Sequence, residues 1–175
     1  MITLITGGVK SGKSAYALEL MNQILDKPLI KGAFIATADF NDQSMKNKIE
    51  AHQKEREGSA LITIEEKINL PEVIESISPL YQLIIVDCLT LWMSNLLYFM
   101  DDKAMRDEKI NLFGEALKKL TIPCIIITNE VGMGIIPENK LARKYQDELG
   151  KLNGKIAHIA KSVILMVSGI SVKIK

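Results

Sequence analysis

The chain has 175 residues, 47% hydrophobic and 25% charged, with a formal net charge of +1. That length predicts one domain over residues 1–175 with enough apolar material for a buried core. The balance excludes a disordered or collagen-like chain, and the lack of a basic excess argues against a nucleic-acid partner. Two cysteines, Cys88 and Cys124, are too few for a disulfide framework and lack metal-site spacing. Nineteen lysines stand beside only three arginines (Arg56, Arg106, Arg143) and two histidines (His52, His158). Chemistry that needs an imidazole or a bidentate guanidinium therefore has few candidates. Met1–Thr6 carries no basic or long apolar leader, and no apolar stretch reaches the ~20 residues of a membrane span. The expectation is a cytoplasmic protein with no membrane span.

In chain order, β-rich runs alternate with helical stretches. Ile2–Thr6 reads as a strand, Lys13–Leu25 as a helix, Ala33–Ala36 as a short strand and Gln43–Glu57 as a polar helix. Leu61–Ile64 is the next strand. Leu70–Ile77 is a helix opened by Asn69, with Pro71 in its first turn. Leu83–Val86 is wholly apolar, as a strand buried on both faces must be. Leu91–Met100 and Met105–Leu120 read as helices, with Asp101-Asp102-Lys103 as a surface loop between them. Cys124–Thr128 is another buried strand. A helix is expected over Pro137–Leu149, ended by Gly150, with helical character resuming at Lys155–Ala160. Val163–Val167 and Val172–Lys175 flank Ser168-Gly169 as a terminal β-hairpin. The alternation predicts an α/β fold: a mostly parallel sheet, helices on both faces and a C-terminal hairpin.

Gly7-Gly8-Val9-Lys10-Ser11-Gly12-Lys13-Ser14 fits G-x-x-x-x-G-K-[ST] in full, with a strand before it and a helix after it. Glycines let backbone amides turn inward around an anion, and the helix N-terminus adds positive potential. The motif predicts a P-loop NTPase in which Lys13 reaches the β- and γ-phosphates and the Ser14 hydroxyl ligates Mg²⁺. Asp87 ends the apolar run Leu83–Val86, the Walker B position for a carboxylate that holds Mg²⁺. Helix capping is the other role open to it. Thr128-Asn129-Glu130 ends the next strand at the same sheet edge, so Asn129 or Glu130 could sense phosphate or position a nucleophile, or simply lead into a solvated loop. The GTPase signatures D-x-x-G and N-K-x-D are missing: the chain reads Asp87-Cys88-Leu89-Thr90 and Asn129-Glu130-Val131-Gly132.

Met45, Ile49, His52 and Arg56 lie at offsets 0, 4, 7 and 11, within about 60° of each other on one helix face. Two apolar anchors would seat such a helix, with His52 and Arg56 one turn apart. A neutral imidazole is a competent nucleophile toward phosphorus, and a guanidinium clamps phosphate bidentately. A partly buried histidine satisfied by hydrogen bonds is the plainer reading of His52. His158, late in a helix, has nothing charged patterned around it.

The phosphate loop, Ile35-Ala36-Thr37-Ala38, the Met45–Arg56 stretch and Asp87-Cys88-Leu89-Thr90-Leu91-Trp92 occur together with Ser94-Asn95-Leu96-Leu97. Further on come Thr128-Asn129-Glu130-Val131-Gly132-Met133-Gly134-Ile135-Ile136-Pro137-Glu138-Asn139, Leu141-Ala142-Arg143 and Val167-Ser168-Gly169-Ile170. From Thr6 to the C-terminus this resembles the bifunctional adenosylcobinamide kinase / adenosylcobinamide-phosphate guanylyltransferase family of cobalamin biosynthesis. The resemblance implies a RecA-like sheet, a homotrimer, and two reactions. First, ATP or GTP phosphorylates adenosylcobinamide. A histidine then takes GMP from GTP and passes it to the cobinamide phosphate. The guanylylated histidine falls on His52. Nucleotide contacts fall on the phosphate loop, Ala36, Thr37 and Ala38, Gln53, Lys54, Glu55 and Arg56, Glu65, and Asp87. Glu66 competes with Glu65 for its role. A small-molecule kinase without a covalent step is the nearest alternative.

Overall fold

The computed structural model describes residues 1–24, 31–38 and 60–175. The helix expected at Gln43–Glu57 lies outside them. The described elements are β1 (Ile2–Gly7), α1 (Lys13–Ile24), β2 (Gly32–Ala36), β3 (Leu61–Glu65), α2 (Leu70–Ile77), β4 (Ile84–Asp87) and α3 (Leu89–Phe99). They continue with α4 (Lys103–Lys119), β5 (Cys124–Ile127), α5 (Lys140–Ile159), β6 (Ser162–Val167) and β7 (Ile170–Lys173). The strands form one seven-stranded sheet in the order β3-β2-β4-β5-β1-β6-β7, parallel except for β7. This is the mostly parallel α/β sheet that the alternation predicts.

Neighbouring residues of the central strands face opposite layers. Leu4, Ile84, Val86 and Ile126 pack with α2, α3, α4 and α5, around Trp92, Phe113, Leu152 and Ile156. Ile5, Leu83, Ile85 and Ile127 pack with Ala17 and Met21 of α1. Burial on both faces is why the strands read as unbroken apolar runs. Trp92 anchors the first layer: its ring lies 4.9 Å from that of Phe113, and its indole donates to the Ile68 carbonyl at 2.9 Å.

Three helices are bounded differently from the sequence expectation, two of them because a side-chain cap sets the start. α3 starts at Leu89, directly after β4, two residues before Leu91. α4 starts at Lys103, where the Asp102 carboxylate accepts from the Ala104 amide at 2.7 Å. Asp102 is thus an N-cap, and Lys103 belongs to the helix rather than to a loop. α5 starts at Lys140, capped by Asn139, whose Oδ1 accepts from Leu141 and Ala142. Pro137 precedes it. The helix then runs through Gly150 and Gly154 to Ile159. A helical glycine costs roughly 1 kcal/mol, which burial of Leu149, Leu152 and Ile156 outweighs.

The terminal hairpin forms as expected, with β7 starting earlier, at Ile170. Ser168 (φ 52°) and Gly169 (φ 82°) both have left-handed backbone, the signature of a two-residue turn that suits strand twist. Arg106, ordinary in sequence, is 4% exposed. Its guanidinium donates to the carbonyls of Met100 and Asp101, closing the α3–α4 turn.

Candidate active site

The site is built at the C-terminal edge of the sheet, where β1, β4, β5 and β2 end side by side. β1 ends in Gly7 (φ 151°), and a Cβ there would lie 2.4 Å from the Met166 carbonyl oxygen. Only glycine fits that exit from the sheet. Lys10 (φ 55°) and Gly12 (φ 92°) turn the chain back so that α1 starts at Lys13. The Gly169 amide donates to the Ser11 carbonyl at 3.1 Å, so the hairpin turn braces the loop.

Lys13 is 8% exposed and folds back over the loop. Its Nζ donates to the Gly8 carbonyl at 2.5 Å and lies 3.5 Å from Ser11 Oγ. Loss of water around the ammonium lowers its pKa below the ordinary lysine value, with Cys88 and Asp87 acting in the opposite direction. The Ser14 hydroxyl donates to Asp87 Oδ2 at 3.1 Å, joining the start of α1 to the end of β4. Burial, and then the neighbouring Asp87, push the Cys88 thiol up to about 12, so it stays protonated at neutral pH.

Ala36 closes β2 and pairs with Asp87 on one side and Glu65 on the other. Thr37 follows, fully buried, its amide donating to the Asp87 carbonyl at 3.0 Å. Ala38 is also buried. Glu65 is exposed at the end of β3, on the far side of β2 from Asp87. Glu66 is occupied: one of its carboxylate oxygens accepts from the Ile68 and Asn69 amides, each at 2.7 Å.

β5 lies between β1 and β4, so Thr128-Asn129-Glu130 emerges between the phosphate loop and Asp87. The Thr128 hydroxyl donates to Asn153 Oδ1 at 2.8 Å, and Asn153 Nδ2 donates to the Asn129 carbonyl at 3.0 Å. The Asn129 amide donates to Thr90 Oγ1 at 2.8 Å, and the Tyr145 hydroxyl donates to the Thr90 carbonyl at 2.9 Å. The Glu130 amide donates to the Gly7 carbonyl at 3.1 Å. Helices α3 and α5 thus fix the edge that the loop faces.

Gly7 to Ser14, Asp87 and Ala36 to Ala38 are therefore brought together. Glu65 stands apart at the outer strand. His52, Gln53, Lys54, Glu55 and Arg56 lie outside the described residues. Sequence reasoning missed Thr90, Asn95, Tyr145 and Asn153. Asn153 carried a usable signal, a polar side chain on the stripe Leu149, Leu152, Ile156. Asn95 is similar: buried in α3, it donates to the Thr37 carbonyl at 2.8 Å.

Mg²⁺ prefers hard oxygen donors and takes few of them from protein. A hydroxyl and a carboxylate 3.1 Å apart beside an amide-lined loop supply that chemistry. Among the described residues no cluster of three or more His, Cys, Asp or Glu side chains could hold a metal.

The sheet order, the glycine loop and the Ser14–Asp87 pair define a P-loop NTPase with a RecA-like sheet. Residues 3–174 match the family described as cobinamide kinase / cobinamide phosphate guanyltransferase. The chain belongs to that family. It is 35% identical to the bifunctional adenosylcobalamin biosynthesis protein CobU of Salmonella typhimurium, over 100% of both chains. It is 34% identical to the protein CobP of Pseudomonas aeruginosa, over 100% of this chain and 98% of that one. Among solved structures it resembles the flagellar accessory protein FlaH of Methanocaldococcus jannaschii (TM-score 0.56, 15% identity, 99% and 77% of the two chains). It also resembles the RadB recombinase (TM-score 0.52, 17% identity, 94% and 73%). These last two share the fold.

Proposed function

We propose that this chain is the bifunctional enzyme its family describes: it phosphorylates adenosylcobinamide and then guanylylates the product. The observation that carries this reading is the family match over residues 3–174, nearly the whole chain. The site geometry agrees with it. Gly7 to Ser14 cradle the triphosphate through backbone amides, and Lys13 moves from the Gly8 carbonyl to the phosphates. ATP or GTP serves as phosphoryl donor, and GTP as guanylyl donor. Ala36, Thr37, Ala38, Gln53, Lys54, Glu55, Arg56, Glu65 and Asp87 complete the nucleotide contacts.

Ser14 and Asp87 would hold Mg²⁺. When bound, that ion screens the phosphate charge. His52 is the nucleophile toward the α-phosphorus of GTP: its ring nitrogen bonds to phosphorus, pyrophosphate leaves, and GMP stays on the imidazole until the cobinamide phosphate takes it. Arg56 neutralises phosphate beside it. The whole chain acts as one catalytic domain, in the cytoplasm and as a trimer. No helix among the described residues is long and apolar enough to cross a membrane.

Incubation with GTP labelled at the α-phosphate tests this. Wild type should carry an acid-labile, alkali-stable label, and His52→Ala should carry none while kinase turnover largely survives. Equal labelling of both proteins removes His52 from the mechanism. An unlabelled wild type with active kinase supports a kinase without a covalent step.

A further inference from the structure

We propose that Glu130 is the general base of the kinase step, the carboxylate that takes the proton from the acceptor hydroxyl. The proposal rests on the kinase reading above. Its first support is place: β5 separates β1 from β4, and Glu130 follows β5 at the edge where the phosphate loop and Asp87 meet. The Glu130 amide donates to the Gly7 carbonyl at 3.1 Å, which pins its backbone to the first loop glycine. The second support is orientation. One carboxylate oxygen accepts from the Gly132 amide at 3.0 Å, and the other has no hydrogen-bond partner among the described residues. A base needs that arrangement, one oxygen held and one open.

The third support is the cavity it lines. A cavity of about 380 Å³ is lined by Gly8, Val9, Lys10 and Ser11 of the loop, by Glu130 and Met133, and by Leu165 to Ser168 at the end of β6. Among the described residues, Glu130 is the only acidic one that lines it. The other carboxylates at this sheet edge, among the described residues, have other places. Asp87 accepts from Ser14, and Glu66 from two amides. Glu65 ends β3, two strands beyond β4. An acceptor alcohol in the cavity would therefore have the phosphate loop and Glu130 in one shared lining.

The step balances. The acceptor O–H bond breaks and its proton goes to Glu130. The acceptor oxygen bonds to the γ-phosphorus as the bond from that phosphorus to the β–γ bridging oxygen breaks. The electron pair leaves with the nucleoside diphosphate, and Glu130 returns its proton to solvent after product release.

The test compares full-length wild type, Glu130→Gln and Glu130→Asp in two separate assays: kinase with cobinamide, and guanylyl transfer with cobinamide phosphate. Glutamine keeps the acceptor oxygen for Gly132 and loses the base. It should lower kinase kcat by about 10²–10⁴-fold and abolish the acid limb of its pH profile. KM for the nucleotide should move less than about threefold, and the kinase-to-transferase turnover ratio should fall at least ~30-fold. Aspartate, still a base, should retain the acid limb at reduced kcat. Kinase kcat within about threefold of wild type overturns the proposal. So does a parallel fall in both reactions, which marks a structural role. Wild type without kinase activity overturns the functional reading and this proposal together, whereas active wild type with active Glu130→Gln overturns this proposal alone.

Discussion

The Thr37 hydroxyl donates to the Cys88 carbonyl at 2.7 Å and accepts from the Cys88 amide at 2.9 Å. One buried side chain thereby satisfies both backbone groups of the residue after Asp87. The Asn95 amide holds Thr37 from behind, through its carbonyl. Thr37→Val keeps the shape and removes both bonds, leaving the amide and carbonyl of Cys88 without that partner. The expected loss is about 1–3 kcal/mol, read as a lower urea midpoint. Thr37→Ser should recover most of it. An unchanged midpoint in the valine variant would mean that the pair contributes nothing to holding Asp87.

Lys13 shows a functional group that costs stability. Its pKa is lowered chiefly by loss of water, so the charged form is disfavoured in the folded state. Between the folded pKa and the ordinary lysine value the unfolded chain binds more protons, and stability rises with pH there. Below that window the penalty is constant. Lys13→Met should therefore unfold at an equal or higher urea midpoint than wild type at pH 7. Its advantage should shrink as pH rises toward 10. The same variant should lose the thermal stabilisation that added triphosphate gives wild type. A methionine variant clearly less stable than wild type at pH 7 would show that the Gly8 contact outweighs desolvation.

Gly7→Ala tests the exit from β1. A methyl there would sit 2.4 Å from the Met166 carbonyl and 2.8 Å from Ser11 Oγ, on a backbone at φ 151°. Strain of this kind costs about 1–3 kcal/mol before any clash is counted. The expected readout is a fall in thermal midpoint together with weaker triphosphate binding by calorimetry. Gly8→Ala is the control: among the described residues nothing lies within 4 Å of where its methyl would sit, so stability should change little.

Most of this architecture was legible because parallel strands buried on both faces leave uninterrupted runs such as Ile84-Ile85-Val86. The phosphate loop was legible because its glycines are dictated by backbone geometry. The continuity of the helix from Lys140 to Ile159 was not, because Gly150 reads as a stop signal that packing of Leu149, Leu152 and Ile156 overrides. Sequence favoured Glu65 over Glu66 without showing what either touches. The Glu66 carboxylate accepts from the Ile68 and Asn69 amides, which a one-dimensional pattern does not place in space. Asn129 was visible as part of a strand end, but its partners Thr90 and Asn153 come from α3 and α5, far along the chain.

Ser14→Ala and Asp87→Asn separate metal affinity from fold. Both oxygens lie within 3.1 Å of each other and make a hard-donor pair. Each variant should raise the Mg²⁺ concentration for half-maximal kinase activity about tenfold or more. Unfolding midpoints without nucleotide should shift by less than about 1 kcal/mol for Ser14→Ala, since the lost bond is partly exposed. A Mg²⁺ requirement identical to wild type in both variants would remove the pair from the metal site.

Asn153 tests whether the β5 end is held by α5. Its Oδ1 accepts from the Thr128 hydroxyl, and its Nδ2 donates to the Asn129 carbonyl. Asn153→Asp preserves shape and replaces the donor with an oxygen that faces a carbonyl in a buried place. The ionised aspartate should cost about 1–3 kcal/mol at pH 7. Protonation restores a donor, so the carboxyl pKa in the folded variant should lie above the ordinary aspartate value. Stability contributed by the protonated form is then present at low pH and is lost as pH rises through that folded pKa. The gap in urea midpoint between variant and wild type should therefore narrow on lowering the pH from about 7.5 toward about 4.5. Kinase turnover should fall at pH 7 as well, because Asn129 and Glu130 follow Thr128 directly. A gap independent of pH would show that the carboxylate finds water rather than the Asn129 carbonyl.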